Sequence, residues 1–457
     1  MEEERKEGRF GSLFTLMDRF TGDKVILLIA LFLMLVSVVS VFSSTPLLAR
    51  EQGTDRMAIM MDQLKAVLAG FVLIFALYWF GRVEVYRRAS MLGFAASFGI
   101  LCILVFNLNL GFVKAGTVNG ARRVLMVMGR QVHVYEFVKV FMILYLGWAL
   151  DTFKRHGFTF LPMMAQKFEK LAFLEKDIWQ KIFYIYGPIV LTTLMVMMGS
   201  NSSALFIGAI MVLMVLVGGI DGKDIAFMVA VLAVGVGVMV LAWKAGLLEH
   251  SRIGTAISRI TQDDDAVMNK LLTSPRGSKD WNEARDELKQ PVSAMLAIKE
   301  GGIFGKGIGN STQKYATPVI FGDYMFSFII EETGIIGAIL IIILYFSLLA
   351  RGTLIAKECD RYYDKMIVTG LIILVTGQAF MHMAVNVHLP FVPQTGQTLP
   401  LVSHGTNSLL VFSVVFGILL SISKDAKENI ARREAEAEAA PIIVHDEDDW
   451  TQNTTVS

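Results

Sequence analysis

Gly301–Gly334 reads GGIFGKGIGNSTQKYATPVIFGDYMFSFIIEETG. A glycine-punctuated polar loop runs into a single carboxylate, Asp323, and the chain then becomes an apolar segment ending near Leu349. Flexible backbone, two cations (Lys306 and Lys314) and a carboxylate therefore meet at the edge of an apolar span. The five glycines 301, 302, 305, 307 and 309 suit either close backbone approach to a ligand or a flexible re-entrant turn. The loop is no phosphate-binding Walker loop, because its spacing is one residue short and Gly307 stands where Ser or Thr is required.

The rest of the chain sets the environment. Of 457 residues, 54% are hydrophobic and 18% charged, whereas a soluble domain carries about a quarter. Uncharged runs of about twenty residues recur, the length that crosses a bilayer as a helix. We expect an all-α, polytopic membrane protein with about ten spans, near 25–44, 66–81, 90–110, 134–150, 182–199, 203–220, 225–243, 324–349, 366–387 and 406–422. A net charge of +1 offers no bulk basic surface, so no nucleic-acid partner is expected. Cys102 and Cys359 fall in a span and in a cytoplasmic loop, which suits no disulfide framework. The first span lacks a clear small-residue cleavage site and is expected to stay as a membrane helix.

Lysine and arginine orient the chain. The N-terminus and the loops 82–89, 151–181 and 350–365 are basic and are placed in the cytoplasm. The connections 199–203 and 388–405 carry no Lys or Arg and are placed outside. Residues 1–24 then form a cytoplasmic segment. Residues 25–422 form the membrane domain, with one large extracytoplasmic loop at 244–322. Residues 423–457 form an acidic cytoplasmic tail, a short helix followed by disordered chain. The 151–181 loop spaces Met164, Phe168, Leu171, Leu174 and Ile178 as an interfacial amphipathic helix. Segment 111–133 breaks the orientation rule, with Lys114, Arg122, Arg123 and Arg130 on the outer side. The Asp263–Asp265 run reads as solvated charge, and no internal repeat of the transporter kind is visible.

Ionisable groups at membrane depth suggest function by default. Glu136 and Lys139 share one helix face, either as a self-neutralising pair or as part of an anion site. Arg122 and Arg123 offer fork-shaped donors suited to a phosphate or pyrophosphate. Asp323 precedes an apolar helix, so it is either an N-cap, a role in which Asp excels, or a working carboxylate. Glu331 and Glu332 lie about two turns further in. His382, His388 and His404 fit no familiar zinc spacing and read as structural.

These residues resemble the SEDS (shape, elongation, division and sporulation) family, the FtsW/RodA type of bacterial peptidoglycan glycosyltransferase. The family's glycine segment is matched by Ala297, Gly301-Gly302, Gly305-Lys306-Gly307, Gly309-Asn310 and Gln313. Its Asp-Phe-Ile-Phe and E-E-x-G motifs are matched by Asp323–Phe326 and Glu331–Gly334. The family's G-x-R-R-W…E-x-x-K is echoed by Gly120–Arg123 and Glu136–Lys139, and its late T-G-x-x-L-P-x-x-S by Thr395–Ser403. The chain departs at 318–322, where the family's Glu and His before the aspartate are missing, and at Val134-Tyr135, Ser293-Ala294 and His404–Thr406. His382 stands nearest to a customary Asn.

The resemblance implies a GT-C-like fold and an enzyme that polymerises lipid II into glycan strands at the outer face of the cytoplasmic (inner) membrane. The reaction implied is an inverting transfer from a polyprenyl-pyrophosphate-linked disaccharide. Asp323 would be the catalytic base, with Arg122, Arg123, Glu136, Lys139, Lys306, Gln313 and Ser403 binding substrate. No metal ligands and no certain cofactor are assigned, although Mg or Mn could assist at the pyrophosphate. Implied partners are lipid II, the nascent glycan strand, a class B penicillin-binding protein (the crosslinking transpeptidase) and other divisome proteins. The basic N-terminus and acidic tail favour septal, division-type synthesis. The alternatives are an elongation-type polymerase, a lipid II flippase or transporter, and a pure scaffold.

Overall fold

The computed structural model describes residues 20–111, 113–118, 121–245, 264–317, 319–389, 392 and 395–439. Most of the N-terminal segment, the 246–263 part of the large loop with Asp263, Pro318 and Pro393, and the tail beyond 439 lie outside the described residues.

All ten expected spans are helical. They are α1 Lys24–Ser44, α3 Arg56–Phe80, α4 Val83–Val105, α5 Val134–Lys154, α7 Asp177–Met197, α8 Asn201–Val217, α9 Gly222–Lys244, α12 Met325–Glu358, α13 Tyr362–Asn386 and α14 Thr406–Ala439. Eight are long and apolar enough to cross a membrane by themselves. The other two are α8, which is shorter, and α5, which carries Glu136, Lys139, Asp151 and Lys154. A short helix, α2 (Pro46–Gln52), follows α1. Two more, α10 Asp264–Thr273 and α11 Lys279–Gly301, occupy the described part of the large loop. α14 carries the last span unbroken into the first residues of the acidic tail.

The core lies between α5, α13, α14 and their neighbours, and α13 and α14 are the most buried of the eight long apolar spans. Phe412, Phe416 and Leu420 of α14 and Ile367, Leu371 and Val375 of α13 are almost wholly removed from solvent. The outward faces of the other helices carry exposed Leu, Ile, Val and Phe, such as Leu68, Val72, Val234 and Ile343. That inversion of the soluble pattern is what a lipid solvent permits.

Cap chemistry differs sharply between two aspartates. At α1, the Asp23 carboxylate accepts from the backbone N–H groups of Val25 and Ile26, both at 3.0 Å. Its second oxygen accepts from Arg351 Nε at 2.9 Å. At α12 the capping residue is Tyr324, and no side chain of its own segment caps the helix.

Within this all-α membrane fold, the described residues of segment 111–133 add a small sheet. They form a three-stranded antiparallel sheet in the order β1-β2-β3: Val113–Val118, Ala121–Val127 and Arg130–His133. Met128 and Gly129, with φ of 50° and 81°, make the tight β2–β3 turn, which needs positive φ at both central residues. The β1–β2 hairpin had a readable signal in Asn119-Gly120 between β-prone runs, although those two residues lie outside the described set. The register pairs Gly116 with Val124 and Thr117 with Arg122. Arg123 is thus the extra residue of a bulge, released from strict strand alternation. Asn407 Nδ2 at the start of α14 ties the sheet down by donating to the Gln131 carbonyl at 3.1 Å.

The 151–181 segment is also not one helix. It breaks into α6 (Phe160–Lys167), a 3-10 stretch at Glu169–Glu175 and the start of α7, because Phe168 is extended. Phe168 and Ile178 remain exposed, while Met164, Leu171 and Leu174 are partly covered.

Candidate active site

The first turn of α12 would leave backbone N–H groups without partners, and the neighbouring helix α13 supplies them. The Phe326 N–H donates to His382 Nε2 at 3.3 Å, and the Ser327 N–H donates to Asn386 Oδ1 at 2.9 Å. Because His382 Nε2 accepts, its proton sits on Nδ1, which donates to the Gln397 carbonyl at 2.7 Å. Asn386, one turn beyond His382, also donates to the Asp323 carbonyl at 2.9 Å. Sequence reading missed Asn386, whose only signal was its helical spacing from His382.

The Asp323 carboxylate is therefore not consumed as a cap. It is half-buried and faces Gly396, where a Cβ would lie 3.1 Å from Asp323 Oδ2. Burial pushes its carboxyl up to about 6, against the opposing pull of the Arg123 guanidinium. The backbone before it is braced by Ser403, whose Oγ donates to the Gly322 carbonyl at 2.8 Å and accepts from the Leu399 N–H at 2.9 Å. The His404 N–H donates to the Phe321 carbonyl at 2.9 Å.

Next to Gly396, Gln397 leads to the buried cation. Lys139 Nζ donates to Gln397 Oε1 at 3.0 Å, to Gln378 Oε1 at 2.8 Å and to Glu136 Oε1 at 2.8 Å. Glu136 and Lys139 thus do form an ion pair, and two amides from α13 and the 395–398 strip share it. Arg123 Nε and Glu136 Oε2 are buried without a protein partner. Arg123, Glu136, Lys139 and Asp323 are so brought to one region from β2, α5 and the loop before α12.

Other expected substrate contacts are placed differently. Arg122 is partly buried on β2, and its carbonyl accepts from the Tyr135 hydroxyl at 3.3 Å. Lys306 Nζ donates to Glu331 Oε1 at 2.8 Å and is also paired with Glu300. Gln313 and Lys314 are buried, with the Gln313 N–H directed at Glu331 and Lys314 Nζ donating to the Gly309 carbonyl at 2.5 Å. Ser403 is buried in backbone bracing. Lys306 and Gln313 thus belong to the polar network around Glu331, and Ser403 braces the backbone just before Asp323. Among the described residues, no three His, Cys, Asp or Glu side chains gather to hold a metal ion.

Comparison with known proteins places this arrangement. The sequence model of the FtsW, RodA and SpoVE family, described as cell cycle proteins, matches residues 23–428. The chain belongs to that family. Among similar proteins is a probable peptidoglycan glycosyltransferase FtsW of Bacillus subtilis, 26% identical over 401 residues, covering 87% of this chain and 90% of that one. Another of the same name, from Geobacter metallireducens, is 27% identical over 409 residues, covering 89% and 95%. Among solved structures, the fold resembles the rod shape determining protein RodA of Thermus thermophilus. The TM-score is 0.54 at 19% identity, over 90% of this chain and 99% of that one. It also resembles a chain of a peptidoglycan synthase complex described as coordinating polymerization and crosslinking, with a TM-score of 0.60 at 20% identity. The family member described here is thus a multi-pass bacterial membrane protein.

Proposed function

We propose that this family member polymerises lipid II into glycan strands at the outer face of the cytoplasmic membrane, for division. The single observation carrying the chemistry is that His382 and Asn386, and not the Asp323 carboxylate, accept the first-turn N–H groups of α12. A half-buried carboxylate raised to about 6 is a suitable general base for a sugar hydroxyl near neutral pH. Arg123 and Lys139 supply cations for a pyrophosphate leaving group, and the unpartnered Arg123 Nε and Glu136 Oε2 mark where polar substrate groups would bond. Arg122, on the same strand, would extend that anion-binding face.

One base without a second carboxylate nucleophile suits a single inverting displacement. The FtsW names of the similar proteins support the division role over the elongation role. A crosslinking transpeptidase, a class B penicillin-binding protein, is the partner we propose, in keeping with the synthase complex of like fold. Both termini are assigned to the cytoplasm from the basic loops.

The test is strand elongation from labelled lipid II by purified protein, with Asp323→Asn beside the parent. The variant should fold and lose about 10²-fold or more of its rate. Near-parental polymerisation by the variant would sink the base assignment and move the transporter reading to first place.

A further inference from the structure

Asp323 leads into a piece of helix that is not continuous with the rest of its own span. α12 is broken at Gly334, with φ 74° and ψ −172°. The rod on its N-terminal side, Met325–Glu332, is buried at every residue. Such a break deprives the carbonyls before it and the N–H groups after it of their helical partners.

The glycine loop supplies partners for two of those groups on each side of the break. The Lys306 and Gly307 N–H groups donate to the carbonyls of Glu331 and Glu332, both at 2.9 Å. The Ile335 and Ile336 N–H groups donate to the carbonyls of Gly302 and Ile303, at 3.0 and 3.4 Å. The approach is close enough to demand glycine. A Cβ would lie 2.2 Å from the Ile330 carbonyl oxygen at Gly301, 2.2 Å from that of Glu332 at Gly305, and 2.1 Å from that of Ile303 at Gly334. The E-E-x-G and glycine motifs are thus two halves of one splint.

Side chains fasten the same joint. Glu331 is completely buried. Its carboxylate accepts from Lys306 Nζ at 2.8 Å, from Ser311 Oγ at 2.5 Å and from the Thr312 N–H at 2.7 Å. Glu332 accepts from the Gly309 N–H at 2.9 Å and from Ser43 Oγ of α1 at 2.5 Å. Four positions at the break, Glu331, Glu332, Ile335 and Ile336, are thereby pinned to the glycine loop, and Glu332 to α1 as well. Asp323 lies eight residues from Glu331, about 12 Å along a helix rising 1.5 Å per residue.

We propose that Glu331, through the glycine loop it organises, is a positioning residue that sets where Asp323 stands relative to Arg123 and Gly396. A buried rod pinned at Glu331 transmits a shift or rotation of that end to the other, because packed interiors do not absorb it. This rests on the reading of Asp323 as the base. The commitment is to geometry: loosening the splint should leave donor binding largely intact while displacing the carboxylate.

The experiment uses full-length protein and lipid II, measuring kcat, KM, the pH profile of kcat and thermal unfolding for Glu331→Gln, Ser311→Ala and Asp323→Asn. Glu331→Gln keeps the size and discards the charge that gathers the loop. A misplacement on the ångström scale is expected to lower its kcat by about 10- to 100-fold with KM within about 3-fold. The acid limb of its profile should move by more than about half a pH unit, since the surroundings of Asp323 change. Ser311→Ala, which removes one donor, should show the same split at about 3-fold and stands in if Glu331→Gln does not fold. A folded Glu331→Gln protein with parental kcat and acid limb overturns the proposal. So does a loss that tracks only unfolding while the limb stays put. If Asp323→Asn is inert and Glu331→Gln is normal, only the positioning role falls. If Asp323→Asn polymerises normally, the base reading falls and the positioning role falls with it.

Discussion

Asp323→Ala and Asp323→Asn should behave alike in stability. An aspartate cap replaced by alanine typically costs about 0.5–2 kcal/mol, but here Tyr324 is the cap residue and the first-turn N–H groups go to His382 and Asn386. Unfolding midpoints of the two variants in detergent should agree closely, and a clearly lower midpoint for Asp323→Ala would restore a capping role. A general base must be unprotonated to act. With the Asp323 carboxyl raised to about 6 by burial, the rate should fall as pH drops through that value and level off above it. A profile flat down to pH 5 would contradict the assignment. Gly396→Ala would place a Cβ 3.1 Å from Asp323 Oδ2, so either the strip or the carboxylate must give way. About a 10-fold loss of polymerisation is expected from such a displacement, and an unchanged rate would show that the strip yields freely.

At the scale of elements, the α12–α13 junction is the joint to test. Asn386→Ala removes the acceptor of the Ser327 N–H and the donor to the Asp323 carbonyl. Leaving buried backbone groups unpaired costs about 1–3 kcal/mol each, so a measurably lower unfolding midpoint is expected. A midpoint equal to the parent's would mean that other groups cap the helix. The apolar runs of all ten span helices were legible in sequence because a bilayer demands length and hydrophobicity from each span separately. The sheet at 113–133 was not recognised, although Asn119-Gly120 signalled a hairpin, because the segment was read for its cations, as an exception to the orientation rule, and not for strand alternation. Arg122 and Arg123 looked like a tandem fork, yet only pairing to β1 reveals that Arg123 occupies a bulge.

For the whole molecule, sidedness is the open expectation. Single cysteines at exposed Thr273 and Glu175, in a background lacking Cys102 and Cys359, should react with an impermeant thiol reagent from opposite sides. Thr273→Cys should label from outside intact cells, and Glu175→Cys only after the inner side is opened. The reverse pattern would invert the topology and place Asp323 on the wrong face for an exported lipid-linked sugar.

Sequence alone determined the class: repeated apolar spans, the basic loops between them, and the motif residues Glu136, Lys139 and Asp323 as the ones to watch. Those features are local, set by what each segment must satisfy in lipid or water. The work assigned to each polar group was decided by contacts between residues far apart in the chain. That Lys306 meets Glu331, 25 residues away, is visible only once the break at Gly334 brings the two together. Asp323 could be read as a cap or as a working carboxylate, and only α13, some 60 residues on, shows that His382 and Asn386 take the N–H groups of that helix end. A polar side chain has several energetically similar partners available locally, and only the packed structure chooses among them.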